Sequence, residues 1–199
     1  MKLFLIAILL CLKLGLGDSV YVDTIPKYDR KDYKHWVDED KNCRDTRQEV
    51  FVDEHFYYIG ELEFKTDKQC RVTSGLWFDL FTGQWFTDPK DIDIDHTVPL
   101  KDAHISGAWA WNSTKKMEYA NYLHDPDHLI AVSKSQNRSK GSKSPDKWLK
   151  IPERLKPRYC KKWNNVKVRW GLTVTQSELD TLKVYLKDEK GIKYPEVRE

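Results

Sequence analysis

The sequence has no internal repeat, no C-x-x-C pair and, beyond its first 17 residues, no apolar run long enough to cross a bilayer. The first absence excludes a solenoid or other repeat array. The second argues against a structural zinc site, whose ligands usually come as closely spaced cysteine pairs. The third leaves a soluble body once the N-terminus is set aside. Charge of one sign is scarce too, since 34 Lys+Arg against 31 Asp+Glu give only +3. What is present is 199 residues, 40% hydrophobic and 13% aromatic, with eight Trp. That suits one packed domain, or one plus a short arm, and is too apolar for a disordered chain.

Met1 to Gly17 carries Lys2, an apolar run from Leu3 to Leu12, and small residues Gly15 and Gly17 spaced like a cleavage site. This is the pattern of a secretory signal, too short for a membrane span. The expectation is a secreted or periplasmic protein that leaves the membrane when the signal is removed. Export also frames the cysteines. Cys11 departs with the signal, leaving Cys43, Cys70 and Cys160. An oxidising compartment favours one disulfide. Cys43 with Cys70 is the preferred pair, with Cys160 then buried, free or linked to a partner.

The weak net charge conceals a partition. Residues 133–170 hold 13 Lys+Arg and two acids, a local charge of +11. The rest of the mature chain is correspondingly acidic. A basic block on a nearly neutral chain is the footprint expected for a polyanion.

Residues 18–42 read as a charged, aromatic arm held by Tyr21, Tyr28, Tyr33 and Trp36. A short helix is expected from Cys43 to Val50, and short strands at 61–64 and 69–73. A packed strand and turn is expected between Gly75 and Gly83. Asp91 to Leu100 alternates acid and apolar residues with period 2, which predicts a half-buried strand through Ile92, Ile94 and Val98, stopped by Pro99. Residues 103–123 are expected to be helical, with Asn112 or Ser113 as a cap and Met117, Ala120 and Leu123 facing inward. Leu129–Val132 reads as a second strand. Tyr159, Trp163, Val166 and Trp170 fall on one helical face closed by Gly171. Thr175 with Glu178 forms a capping box before Leu179, Leu182 and Leu186. Residues 190–199 are expected to fray. The order points to an α+β fold.

The sharpest chemical constellation is Asp95-His96 on one strand and Asn137 after the next. Histidine can take a proton near neutral pH. Asp and Asn oxygens suit a hard cation such as Mg²⁺ better than zinc. One geometric objection stands: neighbouring side chains on a flat strand face opposite ways. Asp93 reads as a solvent-side strand residue, and His104 and His124 as surface residues.

Three segments in order, Asp95-His96-Thr97-Val98-Pro99-Leu100, Asp127-His128-Leu129-Ile130-Ala131-Val132-Ser133 and Asn137-Arg138-Ser139-Lys140-Gly141, resemble the parts of HNH endonucleases with a ββα-metal core. The likeness extends to a secreted, single-domain bacterial branch of that group. It runs through Cys43 with Thr46-Arg47, Gly75-Leu76-Trp77, Ser106-Gly107-Ala108 and Tyr159-Cys160, and covers about residues 36–186. The resemblance implies an endonuclease domain over 43–189 with its core at about 90–150, the ββα hairpin and helix being flanked by further helices and a short N-terminal β region. His96 would be the general base, and Asp95 and Asn137 would hold Mg²⁺ or Mn²⁺. The family usually has Asn where this chain has His128, so His128 would orient the base, bind metal or face solvent. Arg138, Lys140 and Lys143 would contact phosphates of nucleic acid, DNA before RNA. The alternative class is a secreted, non-catalytic polyanion-binding protein using the same basic block.

Overall fold

The computed structural model describes residues 25–198. The signal segment, Cys11 and Tyr21 lie outside the described residues. The architecture is α+β, with six α-helices and three two-stranded antiparallel sheets among the described residues.

The central element is the hairpin of β5 (Ile92–His96) and β6 (Leu129–Ser133), paired from Ile92↔Ser133 to His96↔Leu129. It forms because its β-branched residues alternate. Ile92 and Ile94 join Leu129 and Ala131 on one face. Ile130 and Val132 point the other way into the larger core. Helix α4 (Lys134–Lys140) begins directly after β6, where the Ser133 hydroxyl accepts from the Gln136 N–H. This cap satisfies an otherwise orphaned donor and folds the helix back onto the hairpin.

The first hairpin face is covered by α1 (Thr46–Asp53), which Asp45 caps through the Gln48 N–H. It is also covered by β1 (Glu63–Phe64) with β2 (Val72–Ser74), and β3 (Trp77–Phe78) with β4 (Trp85–Phe86). Gly83 has φ +71 in the turn between β3 and β4, a conformation that favours glycine. The Cys43–Cys70 disulfide, the expected pair, ties the start of α1 to the β1–β2 turn. Cys160 is free and buried.

Helices α5 (Lys156–Trp170) and α6 (Gln176–Leu186) close the larger core. The period read in the sequence is real, with Tyr159, Trp163, Val166 and Trp170 all buried. Each such large side chain contributes about 1.5–3 kcal/mol by leaving water. Gly171 ends α5 in the left-handed conformation, and Thr175 and Glu178 form the capping box of α6.

Two expectations need correction. The helical stretch expected over 103–123 is divided into α2 (Leu100–Ile105), a 3-10 turn at Ala108–Ala110 and α3 (Ser113–Ala120), and it ends before Leu123. Pro99 stands at the entry to α2, where its fixed φ suits a helix start, and Gly107, at φ +124, breaks the chain before Asn112 caps α3. Leu123 falls beyond α3 and is exposed. The C-terminal segment does not fray either. Val197 bridges Val174, and the Arg198 N–H donates to the Val174 carbonyl at 2.8 Å. That segment has no hydrophobic period, so only its distant partners order it.

Candidate active site

The register of β5 separates the residues that the sequence placed together. Asp93 and Asp95 point to the face covered by α4, whereas His96 points with Ile92 and Ile94 to the other. The two faces meet at the end of β5, where the Thr97 N–H donates to the His128 carbonyl at 2.9 Å and extends the pairing.

Beyond the end of β5, the last turn of α3 does the positioning. The final carbonyls of a helix have no partner within it. Two consecutive ones are taken by imidazoles: His128 Nε2 donates to the Tyr119 carbonyl at 2.6 Å and His96 Nε2 to the Ala120 carbonyl at 3.0 Å. A carbonyl only accepts, so each Nε2 carries the proton and each Nδ1 is left as a lone pair. His96 Nδ1 makes no hydrogen bond among the described residues. The His96 ring lies parallel to Tyr119 at 6.3 Å, and Trp36 covers it at 5.8 Å between centroids. Burial pushes the proton affinity of His96 well below the ordinary range, and His128 lowers it further. A neutral imidazole with a free Nδ1 is the state a general base requires.

His128 is 1% exposed, enclosed by Tyr119, Tyr122 and Trp170, and does not face solvent. Burial lowers its pKa to about 4. Its ring sits 6.2 Å from that of His96 and acts on the neighbouring carbonyl of the same helix turn.

The α4 face is charged. Lys140 has no exposed surface, and its ammonium donates to Asp95 Oδ2 at 2.7 Å and to the His96 carbonyl at 3.1 Å. Burial raises the Asp95 carboxyl to about 6, opposed by Lys140. Lys140 is therefore not a phosphate contact, which corrects the expectation. A buried carboxylate needs a counter-charge, and the helix supplies it from inside. One turn earlier, Asn137 Nδ2 donates to Asp93 Oδ2 at 3.2 Å, and Arg47 stands 3.8 Å from the same carboxylate. Asp93 is thus a partner of Asn137 instead of a free surface acid.

Among the described residues, no three His, Cys, Asp or Glu side chains converge as a metal cage. The donors nevertheless fit a hard cation. Asp95 Oδ1 and Asn137 Oδ1 have no protein partner among the described residues, and Asp95 lies two strand residues beyond Asp93, to which Asn137 donates. Mg²⁺ needs only one or two protein oxygens and keeps its waters and the substrate's phosphate for the rest.

The basic block is not uniform, and nine of its thirteen cations fall into two contrasting groups. Lys140, Lys162 and Lys167 are buried, and their ammonium groups meet Asp95, Asp127 and Asp102. Arg138 and Lys143 are exposed, as are Lys147, Lys150, Arg154 and Arg158. None of these six has an acid within ion-pair distance among the described residues. A cavity of about 800 Å³ between the arm and α3 is lined by Glu39, Asp40, Glu49 and Glu118, the wrong sign for phosphates.

Two residues escaped sequence reading. His104, expected at the surface, is buried, with Nε2 donating to the Pro26 carbonyl at 2.8 Å. Trp36 was expected to pack on the body, but nothing in its local sequence indicated His96 as its neighbour.

Comparison with known proteins adds the following. Residues 37–183 match the family described as GmrSD restriction endonucleases, C-terminal domain. The chain is also 34% identical over 155 residues to an "Uncharacterized secreted protein" of Arthroderma benhamiae, covering 78% of this chain and 72% of that one. No solved structure matches.

Proposed function

The chain belongs to the family of GmrSD restriction endonuclease C-terminal domains, and from that premise we propose that it is an exported, divalent-metal-dependent endonuclease of the HNH type. It hydrolyses phosphodiester bonds of DNA. The observation that carries this reading is the His96 imidazole, neutral, with Nε2–H bound by a main-chain carbonyl and Nδ1 free. It sits where the strand carrying Asp95 meets the helix carrying Asn137.

His96 Nδ1 takes a proton from the water that attacks phosphorus, while the Ala120 carbonyl holds the ring and stabilises the imidazolium as it forms. Asp95 Oδ1 and Asn137 Oδ1 would hold Mg²⁺ or Mn²⁺, which supplies Lewis-acid stabilisation of the phosphate and the leaving oxygen. Lys140 fixes Asp95 and the His96 main chain together. Arg138 and Lys143, exposed beside Asn137, carry the flanking phosphates. Export is supported by the name of the Arthroderma benhamiae protein and by the disulfide, which suits an oxidising compartment.

The test is cleavage of supercoiled plasmid, single-stranded DNA and RNA by the purified mature protein. Cleavage should stop on chelation and return with Mg²⁺ or Mn²⁺. His96→Ala should lose about 10²–10⁴-fold in rate while melting as a folded protein. Cleavage that survives thorough chelation, or a His96→Ala variant as active as wild type, overturns the mechanism. A gel shift without cleavage under any metal favours the polyanion-binding alternative.

A further inference from the structure

The arm preceding α1 is fixed to the body at four points. His104 Nε2 donates to the Pro26 carbonyl at 2.8 Å, and the Tyr33 hydroxyl meets His104 Nδ1 at 3.1 Å. Asn121 Nδ2 donates to the Lys34 carbonyl at 2.8 Å, and the Val37 N–H donates to Asn121 Oδ1 at 3.1 Å. Asn121 directly follows Ala120, whose carbonyl holds His96. One short stretch of chain therefore positions both the histidine and the arm. Trp36 adopts φ +59, a left-handed conformation that a bulky residue seldom takes. In that conformation its indole lies over His96.

His35 packs edge-on against Trp36 at 5.4 Å, and Arg30 meets His35 through Nε at 3.3 Å and Nη2 at 3.2 Å. His35 Nδ1 donates to the Tyr33 carbonyl at 2.8 Å, so its Nε2 is an acceptor and its ring is neutral. The Arg30 guanidinium thus keeps its whole charge. It has no carboxylate partner among the described residues and is exposed. Using Nε and one side of Nη2 for His35 leaves the Nη1–Nη2 fork free, the geometry that grips two oxygens of one phosphate. Contacts therefore run without a break from Arg30 through His35 and Trp36 to the His96 ring.

We propose that Arg30, oriented by His35, binds the phosphate attacked beside His96, making the arm part of the active site. This rests on the hydrolase reading above and names a substrate ligand that lies outside the matched residues 37–183. Arg30 would bring a cation to the histidine side of the phosphate, with Asp95 and Asn137 on the other.

The experiment compares wild type, Arg30→Ala, Arg30→Lys and His35→Ala in the full mature protein. The substrate is a DNA duplex of about 30 base pairs at salt between about 50 and 200 mM, spanning the range where phosphate contacts are read out. Binding of the same duplex by His96→Ala and His96→Ala/Arg30→Ala is measured in parallel. Arg30→Ala should lose about 10²-fold in kcat/KM, the scale of one preorganised donor. Its melting temperature should not change, and the log–log salt slope should fall by about 1. Arg30→Lys should be intermediate, because it keeps the charge without the fork, and His35→Ala should lose about tenfold by the same partial loss of orientation. An Arg30→Ala protein with wild-type kcat/KM and salt slope overturns the proposal. If wild type binds DNA without cleaving it, the hydrolase reading fails by itself. The binding pair then decides Arg30: weaker binding and a smaller slope support a phosphate contact, and unchanged binding overturns it.

Discussion

The two faces of the β5–β6 hairpin handle ionisable side chains in opposite ways. Beneath α4, Asp95 and Lys140 are both buried and both charged groups are matched. At the C-terminal end of α3, His96 and His128 are buried and kept neutral by desolvation, each still donating to a main-chain carbonyl. A carboxylate can be satisfied only by a counter-charge or by protonation, whereas an imidazole has a neutral form that still donates one hydrogen bond. On the proposed mechanism, anchoring and proton transfer therefore fall on different sides of one strand.

The comparison breaks most severely at Lys140. Replacing it by Met strands the Asp95 carboxylate and should cost about 3–5 kcal/mol in urea unfolding. Adding Asp95→Asn should restore most of that loss. A single-variant loss below about 1 kcal/mol would mean that the pair does not carry the α4 face.

The next largest effect concerns pH. His128 has a folded pKa of about 4 against an ordinary 6.5, so the unfolded chain takes up the proton first. Wild type therefore loses up to about 3 kcal/mol from this residue as pH falls from about 6.5 to about 4. Asp95 acts with the opposite sign. Its carboxyl, raised from 3.8 to about 6, contributes stability below pH 3.8 that is lost as pH rises through about 6. His128→Asn should be less stable than wild type at neutral pH because it packs less well. That deficit should shrink on acidification, and melting curves that stay parallel across the range would contradict a buried neutral His128.

The smallest effect belongs to Asp93, on the charged face but at its wet edge. Its Arg47 contact is 3.8 Å long and partly exposed, so Asp93→Asn should change stability by less than about 1 kcal/mol. It should leave the cleavage rate within a few-fold. A loss as large as that of Lys140→Met would remove the distinction between edge and interior.

Local chemistry was legible in the sequence. The alternation in β5, the period of α5, the caps at Asn112 and Thr175 and the cysteine pair all depend on neighbours within a few turns or on simple arithmetic. What could not be read depends on partners far along the chain. Lys140 looks like one more cation in a basic run, and its burial is decided by Asp95, 45 residues away. The arm has no period, and its anchor joins Tyr33 to His104 across 71 residues. The motif placed Asp95 beside His96, the period of a strand already implied that they face apart, and the register bears that out.

The Ala120 carbonyl has a consequence for how this site can change over generations. Every residue type supplies the same main-chain acceptor, so no point substitution at position 120 that keeps α3 in place deletes the group that selects the tautomer of His96. Helix length is the vulnerable quantity. Inserting or deleting one residue between Asn112 and Asn121 would rotate the terminal carbonyls by about 100°, the angular step of a 3.6-residue turn. That would part both imidazoles from their acceptors at once. The site is therefore tolerant of spelling changes in α3 and intolerant of changes in its count.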